Sequence, residues 1–103
     1  MTRQTTPRHY QTVSAVIAAG LLKSGFYLLE TPLRETEKAV AFAAVGGNAY
    51  GYPCRKTAWL PKSQVVKLAN DFYTNRAPAE MWLVPAWLIA AKRAEGLDVL
   101  ATL

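Results

Sequence analysis

Apolar positions along the chain recur at helical spacing near the start and then shift to alternation. Tyr10, Val13, Ile17, Gly20 and Leu21 share one helical face, with Thr6 placed to cap and Pro7 to fill the first turn. This predicts a helix to about Lys23 with a stop at Ser24-Gly25. Val and Ile in the same run also allow a strand, since tertiary context overrides periodicity. A targeting segment is the third reading, because Arg3 and Arg8 precede the run. Against it, Val13–Leu22 is too short to span a bilayer, and no small-x-small cleavage site follows before Lys23. Residues 1–7 are polar and read as a flexible basic arm ahead of one domain, 8–103.

Phe26 to Thr31 reads as a strand ended by Pro32, and Arg34 to Lys38 as a charged connection or strand start. Val40, Phe42 and Ala44 then alternate with Ala39, Ala41, Ala43 and Val45, giving a strand apolar on both faces. The second face is all small, which suits a closely packed helix. The N-terminal helix, with Ala18, Ala19 and Gly20, is the expected partner. Gly46 to Pro53 holds three glycines, an asparagine and a proline, so it reads as a long hairpin loop or as a flexible finger carrying Tyr50 and Tyr52. Gly46 and Gly51 have the separation of a phosphate-binding loop. However, Tyr52 stands where lysine is needed and no Ser or Thr follows to hold magnesium, so that reading is excluded.

Arg55 to Leu60 reads as the next strand. Pro61 opens a predicted helix in which Val65, Leu68, Ala69 and Phe72 fall at i, i+3, i+4 and i+7, with Ser63, Lys67, Asn70 and Asp71 on the solvated face. Asn75 to Ala79 reads as a loop and Met81 to Val84 as a strand. Pro85 starts a last helix that Gly96-Leu97 caps. Val99, Leu100 and Leu103 suggest a tail that packs on something, a second copy of the chain included. The order of elements implies an α+β fold: a small, twisted, mainly antiparallel sheet of three to five strands packed with two or three helices. An open sheet edge would suit a homodimer.

At 103 residues, 51% of them hydrophobic, the chain is long enough for one core and too short for two domains. Cys54 stands alone, which excludes an internal disulfide and a cysteine zinc cluster and fits a reducing cytoplasm. The net charge of +5 is unevenly placed. No acid lies between Lys38 and Asn70, a span that holds Lys38, Arg55, Lys56, Lys62 and Lys67. A one-sided basic surface concentrates polyanions; the plainer reading is a solvated face.

Candidate chemistry is sparse. The lone histidine, His9, lies beside the arm with no second histidine to complete a metal site or a triad, so an enzyme is not expected. Glu30, Glu35 and Glu37 read as charges around an exposed turn in preference to a divalent-ion cluster. Ser63 has no lysine three residues on, and no cofactor or metal is implied. Trp82 and Trp87 read as core aromatics. What remains is Tyr50, Tyr52, Arg55, Lys56, Trp59 and Lys62, closely spaced on a loop, a strand and a helix start, with Lys67 extending the basic span. Aromatic faces stack on unpaired bases while Lys and Arg follow the backbone, which points to nucleic acid, single-stranded in preference to duplex. At period two, Arg55, Thr57 and Trp59 share one strand face, outward if Leu60 points inward. The competing reading packs Trp59 beneath a helix. The alternative function is a protein-interaction module or inhibitor acting on a host or conjugation protein; no membrane partner is expected.

Three short motifs carry a resemblance. Glu35-Thr36-Glu37-Lys38-Ala39-Val40, the run Trp59-Leu60-Pro61-Lys62-Ser63-Gln64, and Val84-Pro85-Ala86-Trp87-Leu88 closing on Gly96-Leu97 follow one another in this order. The pattern resembles small, poorly characterised phage and plasmid proteins with a Thr-Glu-Lys-Ala strand, a Trp-Ile/Leu-Pro-Lys-Ser-Gln joint and a final Pro-x-Trp-Leu helix. It covers roughly the last two thirds of the chain. The resemblance implies a mobile-element context and a compact sheet with helices, and brings no catalytic motif with it.

Overall fold

Alternating and β-branched runs dominate the folded chain, described by a computed structural model over residues 5–73 and 78–99. Among those residues there are seven strands: β1 (Phe26–Leu29), β2 (Arg34–Glu35), β3 (Ala39–Gly47), β4 (Pro53–Pro61), β5 (Val66–Ala69), β6 (Glu80–Pro85) and β7 (Asp98–Val99). Two α-helices accompany them, α1 (Val13–Ala18) and α2 (Ala86–Ala94). The class is α+β, as the sequence implies. The strands divide between two antiparallel sheets, one ordered β1-β6-β5 and the other β2-β3-β4, with β7 also paired to β3.

Strand β6 explains the layering. As the central strand of its sheet it is buried on both faces from Met81 to Pro85. Trp82 and Val84 join Leu29, Val40, Phe42, Ala44, Ala58, Leu60, Leu88 and Ile89 in the core between the sheets. Met81 and Leu83 join Phe26, Leu28, Val66, Leu68, Val13 and Val16 in a second core under α1. The Phe42 and Trp82 rings meet edge to face, with centroids 6.2 Å apart, and so tie one sheet to the other. Trp87 is partly buried against the same core, so both tryptophans pack as core aromatics.

Three elements differ from expectation. The first helix begins at Val13, not at Pro7, because Thr12 supplies the cap: its hydroxyl accepts from the Ala15 amide at 3.2 Å. It ends at Ala18, and Gly20, at φ 74°, turns the chain into a 3-10 turn at Leu21–Lys23. Thr6 is buried and its hydroxyl donates to the Gln64 carbonyl at 2.6 Å, while Arg8 donates to the Lys62 carbonyl at 2.9 Å. Within the segment read as a loose arm, Thr6 is therefore anchored, while Thr5 beside it is exposed. Arg3, with residues 1–4, lies outside the described residues, as do Asn75, Leu100 and Leu103.

The second correction concerns the helix expected after Pro61. A 3-10 turn at Lys62–Gln64 leads instead into β5, where Val66 and Leu68 are buried and Lys67 and Ala69 exposed. β6 needs a second neighbour for its ladder, and the β-branched pair Val65-Val66 fits that place. Third, α1 does not lie on β3. Val13 and Val16 cover the face of the other sheet made by Phe26, Leu28, Met81 and Leu83, a larger apolar surface than the alanines of β3 present. No helix among the described residues is long and apolar enough to cross a membrane.

Candidate nucleic-acid interface

The site is built on the β3–β4 hairpin, whose register runs from Ala39 opposite Pro61 to Gly47 opposite Pro53. Gly46, Gly47 and Pro53 thus belong to the ladder, and the loop is shorter than the glycine pattern suggests. Asn48 organises that loop. Its side-chain oxygen accepts from the amides of Tyr50 at 2.9 Å and Tyr52 at 3.0 Å, and its own amide donates to the Tyr52 carbonyl at 2.8 Å. Gly51 takes φ 82°, which suits glycine. The two tyrosines are left 85% and 69% exposed at the tip.

Inward residues of the hairpin, Val40, Phe42, Ala58 and Leu60, fill the core, so the alternate set faces out. That outer face carries Arg55, Thr57 and Trp59 on β4, and Ala41, Ala43 and Val45 opposite them on β3. Arg34 pairs with Ala41 and so lies on the same side. Trp59 is 39% exposed. The reading that packs it beneath a helix does not describe this face. Between the long side chains the alanines leave a trough of about 440 Å³, lined by Leu33, Ala43, Val45, Arg55, Lys56 and Thr57 among others. The small face of β3 was legible in the sequence; that it receives no helix and stays open at Ala43, while Ala41 opposite Trp59 is buried, was not. Leu33 and Arg34 were missed, because only the β2–β3 register brings them here.

The cations divide. Arg55 shares the outer face, while Lys56 has the inward parity of Ala58 and Leu60 but lies exposed past the core, its stem against Gly46. Lys62 turns towards Glu35, with Nζ 2.6 Å from Oε2. Lys67 stands on the other sheet, 3.4 Å from the Glu80 carboxylate, 3.8 Å from that of Glu35 and 5.2 Å above the Trp82 ring. The hydrogen bond from Lys62 holds the Glu35 carboxyl below its ordinary range, aided by the charges of Lys62 and Lys67 and opposed by partial desolvation. The span without acids is therefore acid-free only along the chain. Among the described residues, folding brings Glu35 and Glu80 to two of its five cations, Lys62 and Lys67, and leaves Arg55 and Trp59 as the part of the expected set that shares the outer face, with Tyr50 and Tyr52 exposed at the hairpin tip.

Other candidate residues are accounted for locally. His9 is exposed, with its ring 4.1 Å from that of Tyr10, and Cys54 is half-buried. Among the described residues no three His, Cys, Asp or Glu side chains gather as a metal site would need. Comparison with family models, with curated proteins and with solved structures returns no match, so the reading of this face rests on its geometry.

Proposed function

We propose that the outer face of the β3–β4 hairpin binds single-stranded nucleic acid, as a non-catalytic accessory protein of a plasmid or phage acting in the cytoplasm. The observation that carries this reading is the half-exposed Trp59 sharing one sheet face with Arg55 and Arg34. Bases stack on Trp59 and on the tip tyrosines, and the guanidinium groups of Arg55 and Arg34 on the same face pair with phosphates. The small side chain of the exposed Ala43, opposite Thr57, leaves room for a flat ring beside Trp59. The mobile-element context comes from the motif resemblance alone.

Fluorescence titration with a short single-stranded oligonucleotide tests the proposal, because Trp59 is the most exposed of the three tryptophans. Quenching is expected at low salt, and the log–log dependence of affinity on salt should have a slope of about −1.4 for two phosphate contacts. Replacing Trp59 by alanine should cost about 1–3 kcal/mol of binding. Absence of any response at low salt would reject the proposal and assign the exposed Leu33, Tyr50, Tyr52 and Trp59 to a protein partner instead.

A further inference from the structure

We propose that the chain forms a symmetric dimer by antiparallel pairing of β4 with β4 of a second copy. Strand β4 is nine residues long and, among the described residues, has β3 as its only neighbour in the sheet. Hydrogen bonding fixes which of its groups are free. The Ala41 carbonyl accepts from Leu33 on the β2 side, and the Lys38 carbonyl accepts from Lys62 on the β4 side. Even-numbered residues of β3 therefore bond to β4, through the pairs Val40–Leu60, Phe42–Ala58, Ala44–Lys56 and Gly46–Cys54. The odd-numbered residues of β4 direct their backbone groups away from the sheet. Among the described residues no backbone hydrogen bond reaches that edge.

The edge is self-complementary about Thr57. Its outward positions are Pro53, Arg55, Thr57, Trp59 and Pro61. The two prolines, which have no N–H to offer, stand at equal distances from the centre. A two-fold axis through Thr57 sets Thr57 against Thr57 of the second copy and Arg55 against its Trp59, with proline against proline. All three free N–H groups on each strand then find a carbonyl. Each Arg55 meets an indole on the same sheet face, a pairing of cation and ring. On the reverse face Lys56 meets Ala58, so no like charges stand directly opposite. In the neighbouring register centred on Lys56, the two lysines would oppose each other. The axis is perpendicular to the sheet, so both outer faces lie on one side and form a continuous surface with a tyrosine-bearing tip at each end. This inference does not depend on nucleic-acid binding.

Sedimentation of the full chain without nucleic acid tests it, read against circular dichroism. The native chain should sediment as a dimer that dissociates on dilution. Thr57→Lys places two ammonium groups face to face and should give a monomer with an unchanged spectrum. Thr57→Pro removes an N–H that β3 does not use and should do the same. In a Cys54→Ser background, Thr57→Cys should form an intermolecular disulfide under mild oxidation, since hydrogen-bonded antiparallel partners have Cα atoms about 5.5 Å apart. Ser63→Cys in the same background should not. A native chain that stays monomeric at hundred-micromolar concentration would overturn the proposal, as would a folded Thr57→Lys dimer. Equal cross-linking at positions 57 and 63 would overturn it as well.

Discussion

A methyl group added at Gly46 would sit 2.8 Å from the carbonyl oxygen of Gly96 and 2.8 Å from Cγ of Lys56. The lysine stem can move aside, but the carbonyl is held by the turn that ends α2. Gly46→Ala should therefore cost about 1–3 kcal/mol in urea unfolding. The neighbouring Gly47 faces open space at ordinary φ, so Gly47→Ala should stay within about 0.5 kcal/mol. Asp71 makes a second single-residue case. Its carboxylate accepts from the amide of Ser14 at 2.8 Å and from the Ser14 hydroxyl, at the start of α1. Those bonds hold its pKa below the ordinary value of 3.8. The unfolded chain then takes up a proton at a pH where the native carboxylate still refuses one, so stability rises with pH across that interval. The contribution is complete above the ordinary carboxylate value and is lost as pH falls through the lowered native one. Asp71→Asn should flatten the acid limb of urea midpoints measured from about pH 6 to about pH 2, leaving the part due to Glu35.

At the scale of elements, the chain was readable wherever one period had no competitor. Alternation from Ala39 to Val45 gave β3, and Pro85 followed by an apolar stripe and Gly96 gave α2. That helix closes with the Gly96 amide on the Arg93 carbonyl and the Leu97 amide on that of Lys92. The stretch from Val65 to Phe72 was not readable, because Val65, Leu68, Ala69 and Phe72 satisfy a helix while Val66 and Leu68 satisfy a strand. Long-range pairing decided it: Val66 lies opposite Leu83 and Leu68 opposite Met81. The two readings differ in energy at particular residues. Leu68→Ala empties a fully buried position and should cost about 2–5 kcal/mol. Phe72, buried at the end of the stripe in the helical reading, is 52% exposed, so Phe72→Ala should have a much smaller effect in the same thermal or urea unfolding assay.

For the whole molecule, the partition of charge is what linear sequence concealed. Arg55 and Trp59 were chosen on strand parity, and parity holds in the sheet. Lys62 and Lys67 were chosen on proximity in the chain, and folding brings carboxylates to them, Glu35 of β2 to both and Glu80 of β6 to Lys67. Arg55→Ala should accordingly weaken oligonucleotide binding several-fold and lower the salt dependence by about 0.7 of a log unit per log unit of salt. Lys67→Ala should leave both nearly as they were, although it removes a cation of the same formal charge. The link between the sheets passes through the turn at Lys62–Gln64, and residues from the opposite end of the sequence hold it, Thr6 on Gln64 and Arg8 on Lys62. Trp59 lies only a few positions ahead of that turn. Trimming the chain to Arg8, or fusing a bulky tag close to Thr6, would thus act like a change inside the hairpin, slackening the anchorage of the exposed indole from more than fifty residues away in sequence.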